Sequence, residues 1–497
     1  EVLTTNRFMG VLVGAAVTAI IQSSSAATVM VVGFVNAGLM SLAQATGVIM
    51  GANIGTTVTA QLIAFNLSDI APIAIFLGVG LIFFAKKRNV KKFGEILAGF
   101  GILFMGMDLM SAAMKPLSAN QSFRNFIVRF KNPLWGLAAG FLSTALIQSS
   151  SASIGILQAL AMQGVIGLDS AIFVLFGQNI GTCVTALLAS IGTNVTAKRA
   201  AVIHLMFNVI GTFIFTTLIL LGVPYVPFIE SLTPGNTVRQ IANAHTGFNI
   251  INTAILFPAA NFLVALSEKL VPGKEHADEG MHLKYLDKRI LETPPIAVAQ
   301  ITKEVIRMGD LARQNVHTAM QAFFTQNEEV IKEVYRREEI INFLNKEITN
   351  YLVMANGLSL HNGDLKLVGT LFHVVNDIER IGDHAENLIE YAEYRIENKV
   401  NFSDIAIQEL EEMAQKVLHI LDIALESVNN RDIELAKAVE PEEEAIDEMQ
   451  KTLRDKHIQR LKNQQCTVDS GVVFLDLLTN LERIADHASN LGYSVLS

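Results

Sequence analysis

Two polar strings in this chain have the composition of an ion site, and each occurs twice. Gln22-Ser23-Ser24-Ser25-Ala26 returns 126 positions later as Gln148-Ser149-Ser150-Ser151-Ala152. Gly51-Ala52-Asn53-Ile54-Gly55-Thr56-Thr57-Val58-Thr59-Ala60 returns at the same offset as Gly177-Gln178-Asn179-Ile180-Gly181-Thr182-Cys183-Val184-Thr185-Ala186. Hydroxyls and carboxamides both donate and accept hydrogen bonds. Their oxygens can coordinate a hard cation such as sodium, and their O–H and N–H groups can donate to an anion. No Lys or Arg lies within the strings. An anion held there relies on hydroxyls, backbone N–H groups and helix N-termini. Co-bound cations would supply the opposing charge, so anion binding would depend on cation binding. Ser-rich runs also serve close helix packing. One copy alone favours that use, whereas two copies in register favour one transport site built from two repeats.

The elements that must position these strings are apolar. Apolar stretches run roughly 9–40, 42–66, 70–85, 93–114, 134–166, 171–192, 200–222 and 240–267. About 20 residues suffice for one crossing. Several stretches are longer and are interrupted by Gly, Ser, Asn or Gln, the pattern of hairpins that enter and leave on one side, which protein or a water-filled cavity must cover. Residues 1–270 carry 14 Lys/Arg and 7 Asp/Glu; residues 271–497 carry 24 and 40. A membrane half is therefore followed by an acidic soluble half. That acidity argues against nucleic-acid binding, which needs clustered Lys/Arg. Cys183 and Cys466 offer neither a disulfide framework nor zinc spacing. The basic run 86–92 places its loop on the cytoplasmic side. Its counterpart at 212–218 is not basic, consistent with repeats of opposite orientation, about 1–92 and 93–222. Counted back by 126, segment 93–114 predicts one more apolar helix before Glu1.

A third duplication spans 198–268. The pattern A-x-x-H-x-x-F-N-x-I-x-T covers His204 and Asn208, then His245 and Asn249. His and Asn four apart share a helix face. These helices either scaffold the two sites by hydrogen bonds, the favoured reading because buried polar groups usually find partners, or carry a coupling histidine.

Residues 283–497 read as about six long amphipathic helices in two three-helix units, opened by Pro294-Pro295. They repeat too: Glu379-Arg380-Ile-Gly-Asp383-His384 matches Glu482-Arg483-Ile-Ala-Asp486-His487, each followed by Ala-x-Asn-Leu. Carboxylates at i and i+4 repel each other unless a base or a cation lies between them. Arg380 and Arg483 offer one route to neutrality. A metal offers the other, and oxygen-rich sites on facing helices suit iron, manganese, magnesium or zinc.

The paired Gln-Ser-Ser-Ser-Ala, the paired Asn-Ile-Gly-Thr and the two His-x-x-Phe-Asn segments resemble the bacterial form of the type II sodium/phosphate cotransporters over residues 1 to about 270. The resemblance implies sodium-driven uptake of inorganic phosphate, with substrate and sodium ions between two inverted repeats. It implies that Gln22, Ser23, Ser24, Ser25, Gln148, Ser149, Ser150 and Ser151 line the site, helped by Asn53, Thr56, Asn179 and Thr182. Ala26 and Ala152 stand where many animal relatives have a further Ser, so no ion number carries over. The second half resembles the PhoU helical domains, in which paired E-x-x-x-D motifs bind metal clusters. That resemblance implies Glu379, Asp383, Glu482 and Asp486 as ligands, with Glu339 and Glu444 completing the sites. It also implies a regulatory role and pairing of two protomers.

The expected fold is all-α: a polytopic membrane transporter (1–270) with inverted repeats and re-entrant hairpins, then a cytoplasmic helical bundle (283–497). The expected function is a bacterial inner-membrane phosphate symporter coupled to sodium, and no enzyme. No Gly-rich nucleotide loop with Lys is present to support ATP drive. The competing readings are a symporter for another anion, a proton-driven one, or a membrane-anchored metal or phosphate signalling protein.

Overall fold

In the computed structural model, residues 6–65, 67–273, 280–358 and 360–496 are described. The helix expected before Glu1 lies outside them. All the described regular structure is helical, and the chain divides into two units, Glu1–Glu275 and His276–Ser497. The division falls inside the 271–282 segment where the charge composition changes.

The first unit opens with α1 (Arg7–Ile21), α2 (Ser24–Asn36), α3 (Leu42–Gly55), α4 (Thr57–Ile63), α5 (Ala71–Phe84), α6 (Arg88–Ala119) and α7 (Gln121–Val128). The pattern then recurs in α8 (Pro133–Ile147), α9 (Ser150–Met162), α10 (Leu168–Ala189) and α11 (Val195–Leu220). It ends with α12 (Tyr225–Leu232), α13 (Thr237–Leu256) and α14 (Ala260–Leu270). Helices α6, α10 and α11 are long and apolar enough to cross a membrane, and two bent pairs could each make a further span. One of these pairs, α13 with α14, bends by 84°. By contrast α1, α2, α8 and α9 have 15, 13, 15 and 13 residues. At about 1.5 Å per residue each is too short to cross ~30 Å of hydrocarbon. Each Gln-Ser-Ser-Ser string is thus the break inside a helix–break–helix unit. Large apolar side chains such as Phe84, Leu134 and Leu146 face outward, as a lipid-facing surface requires.

The paired helices approach at backbone contact. A Cβ on Gly14 would overlap the Val48 carbonyl oxygen, and one on Gly140 would overlap that of Val174. Glycine therefore seats α1 on α3 and, 126 positions later, α8 on α10, the small-residue packing of membrane helices.

The second unit is a bundle of six long helices: α15 (Pro294–Thr325), α16 (Ile331–Asn356), α17 (Asn362–Glu397), α18 (Asp404–Asn430), α19 (Ile433–Lys462) and α20 (Val468–Leu496). Pro294 and Pro295 open α15, where missing backbone N–H groups cost nothing. Apolar positions every three or four residues, such as Ile378, Ile381, Ala385 and Leu388 on α17, are buried.

Candidate functional site

The two serine strings have the same local geometry. Gln22 and Gln148 end α1 and α8 in the left-handed conformation, at φ +60° and +56°. Their N–H groups donate to Thr18 O at 2.8 Å and Thr144 O at 2.7 Å. Ser23 and Ser149 then cap the next helices, their hydroxyls accepting from Ala26 N at 3.2 Å and Ala152 N at 3.3 Å. Helices α2 and α9 begin at Ser24 and Ser150, so each presents its unpaired N–H groups and positive dipole end at the break.

The repeats meet at these points. Ser24 Oγ and Ser150 Oγ are buried and lie 3.4 Å apart. Thr59 links the same halves: it donates to Gln22 Oε1 at 2.6 Å and accepts from Ser151 Oγ at 3.4 Å. Thr59 was absent from the expected residues although it lies in the repeated ten-residue string. Its signal is the match with Thr185, but among the described residues Thr185 bonds only to its own helix, at Thr182 O, 2.8 Å away. Sequence symmetry could not reveal which copy would bridge.

The Asn-Ile-Gly-Thr strings form a second layer on α3 and α10. Asn53 Oδ1 accepts from Asn208 Nδ2 at 3.2 Å, and Asn179 Oδ1 lies 3.1 Å from His245 Nε2. Asn208 and Asn249 also donate to His204 O and His245 O, one turn back. The two His-x-x-Phe-Asn segments on α11 and α13 therefore touch one Asn each, through a different member of the motif. Thr182 donates to Gln178 O at 3.0 Å, while Thr56 is buried at the α3–α4 junction. Buried oxygens without a protein partner remain on Thr18, Thr144, Asn208 and Asn249. Buried polar atoms of this kind require partners, and hard oxygen donors suit a small cation. The assembled groups are all uncharged.

In the second unit Glu379, Asp383, Glu482 and Asp486 are half-buried, whereas the upstream acids sit one residue away from the expected positions. Glu339 and Glu444 are exposed. The buried or half-buried carboxylates are Glu338 and Glu443, because one residue rotates a helical side chain by about 100°. Ligand atoms of Glu443, Asp447 and Asp486 lie within 4.8 Å of one another. In the first half, Glu338 is 3% exposed and, among the described residues, neither carboxylate oxygen makes a well-formed hydrogen bond, the Asn315 side chain opposing the effect of burial only weakly. Burial, then the charges of Asp383, Glu386 and Glu379, push its carboxyl up to about 8. Burial and the neighbouring Asp383 raise Glu379; burial and Asp486 raise Glu482. Burial, with Asp447 and Asp486, raises Glu443. Arg380 pairs with Asp383 at 3.0 Å, and Arg483 with Asp486 at 3.3 Å, so these arginines neutralise part of the charge. They do not satisfy Glu338. Crowded carboxylates with raised pKa values and unpartnered oxygens fit a hard multivalent cation. The missed signal was the i, i+4 spacing of Glu338 with Asn342 and of Glu443 with Asp447, which copies Glu379 with Asp383.

Comparison with known proteins agrees with both halves. Residues 305–392 and 410–495 match the PhoU domain. YjbB of Escherichia coli (strain K12), named for inorganic phosphate export, is 24% identical over 492 residues, covering 97% of this chain and 89% of the relative. Uncharacterized protein YqeW of Bacillus subtilis (strain 168) is 35% identical over 263 residues, 52% of this chain and 82% of YqeW. The crystal structure of PhoU from Pseudomonas aeruginosa is 23% identical, with a TM-score of 0.37, over 39% of this chain and 93% of that one. Residues 1–112 and 112–257 match the Na+/Pi-cotransporter model, and with these two serine-string repeats the chain belongs to the Na+/Pi-cotransporter family.

Proposed function

We propose that this chain is a sodium-coupled symporter of inorganic phosphate, spanning a bacterial inner membrane several times, with a cytoplasmic metal-holding domain that regulates it. The observation that carries this reading is the meeting of the two serine strings at Ser24 and Ser150, 3.4 Å apart. Hydroxyls and two helix N-termini converge there and recognise an oxyanion. With no cationic side chain among them, a phosphate anion needs sodium ions beside it. Phosphate would bind between the serine strings, while the oxygens of Asn208, Asn249, Thr18 and Thr144 are candidate sodium donors. The repeats, read as inverted, would then rock around the shared site to open it to either side. In the second unit, Glu338, Glu379 and Asp383, and Glu443, Asp447, Glu482 and Asp486, would hold the metal. Two protomers would pair through this unit.

Direction is the point on which a second reading has support. YjbB is named for phosphate export. A carrier works both ways, and the sum of its gradients decides the net flux. An inward sodium gradient drives uptake through a symporter, whereas an exporter would empty phosphate-loaded vesicles without sodium. In proteoliposomes with an imposed sodium gradient, labelled phosphate should accumulate. Uptake unchanged on replacing sodium with choline would refute sodium coupling. Wild-type uptake by the Ser24→Ala, Ser150→Ala double variant would remove the strings from the site.

A further inference from the structure

The serine strings hold no positive charge, yet a half-buried cation is fastened to α4, the helix whose Thr59 touches them. Arg239 lies in the first turn of α13. Its guanidinium donates one long bond to Gln61 O, at 3.4 Å, and sits 4.5 Å from the centre of the Phe65 ring. Among the described residues it pairs with no carboxylate. A guanidinium has five N–H donors arranged as a fork that fits an oxyanion bidentately. Most of that fork is uncommitted here.

The position is held firmly. Gln158 Nε2 donates to Ala60 O at 3.1 Å and to Val238 O at 3.3 Å, tying α9, α4 and the first turn of α13 together. Arg239, Asn243 and Thr246 share one face of α13 at i, i+4 and i+7. Gln61 meets all three: its carbonyl takes the arginine bond, and its amide donates to Thr246 Oγ1 at 2.9 Å and Asn243 Oδ1 at 3.3 Å. Two residues before Gln61 stands Thr59, which joins Gln22 and Ser151. Thr59 and Gln61 project from different sides of α4, so it is this helix, carrying both, that joins Arg239 to the serine strings.

We propose that Arg239 is a specificity-determining residue that captures the phosphate oxyanion and delivers it to the serine strings. This rests on the phosphate-transport reading. The charge that the strings lack is supplied during approach, where a fixed cation raises the local anion concentration. At the strings themselves, sodium takes over that role.

The test uses the full chain in proteoliposomes. KM and Vmax for labelled phosphate are measured for the unsubstituted protein, Arg239→Lys and Arg239→Gln, at fixed sodium and two ionic strengths set with choline chloride. Gln keeps a donor for the Gln61 carbonyl but removes the charge. It should raise KM about tenfold while Vmax stays within about twofold. Lys, which keeps the charge and loses the fork, should fall between them. Higher ionic strength should raise KM for the unsubstituted protein and leave that of Arg239→Gln nearly unchanged. An unchanged KM in Arg239→Gln, or a lower Vmax at constant KM, assigns Arg239 a merely structural role and overturns the proposal. Absence of phosphate flux in the unsubstituted protein instead overturns the transport reading, and this assignment with it.

Discussion

Thr59→Val tests the bridge between the repeats most sharply. Valine matches threonine in shape and in β-branching, so α4 and its packing are preserved. What disappears is a hydroxyl that donates to Gln22 Oε1 at 2.6 Å and accepts from Ser151 at 3.4 Å. Leaving a fully buried acceptor unpaired costs about 1–3 kcal/mol. Gln22 is only half-buried, which places the cost in the lower part of that range, about 1–2 kcal/mol. At 1.4 kcal/mol per factor of ten, Vmax/KM for phosphate should fall roughly 5- to 30-fold. Thr59→Ser retains the hydroxyl and should stay near the unsubstituted protein. Thr185→Val is the internal control, because among the described residues the Thr185 hydroxyl bonds only to Thr182 O in its own helix. Sodium-driven phosphate uptake by all three variants, corrected for reconstituted protein, gives the comparison. Equal losses in Thr59→Val and Thr185→Val would falsify the bridge, since sequence symmetry alone would then explain both.

Three further outcomes follow from the packing and the carboxylates. Gly140→Ala places a methyl group on the Val174 carbonyl oxygen, so it should lower the stability of the detergent-solubilised protein by about 1–3 kcal/mol; an unchanged melting temperature would contradict the close helix approach. Glu443→Gln and Asp447→Asn should reduce the metal content of the purified protein, while Glu444→Gln, on the exposed face, should not; elemental analysis decides. After chelation, the raised Glu338 carboxyl makes the folded state the stronger proton binder between its ordinary value of 4.5 and about 8. Stability of the second unit should therefore be highest below that window and fall as pH rises through it, by at most about 5 kcal/mol. Glu338→Gln should flatten the fall; an unaltered pH profile in denaturant unfolding would place the titration elsewhere.

Much of the fold was legible because it is local. Ser23 and Ser149 cap the helices that follow each break through their own hydroxyls, so the breaks could be read from residue type. Pro294-Pro295 and the three-to-four spacing of apolar residues similarly mark the second bundle. Register was less legible. Glu339 and Glu444 were expected to complete the metal sites, yet Glu338 and Glu443 are the ones turned inward, since the packing of α16 and α19 decides which of two adjacent acids is buried.

Repetition in the sequence, together with the absence of charge from both strings, determined that this protein has one polar site in two halves and an acidic helical tail. These features depend on residue type and spacing alone. Only the tertiary structure decided how the halves differ. It made Thr59 a bridge and left Thr185 bonded within its helix, gave Asn53 an Asn partner and Asn179 a His partner, and fastened Arg239 to α4. The physical reason is that a hydrogen bond between distant segments is defined by ångström-scale placement of whole helices, and two copies of one motif packed against different neighbours find different partners.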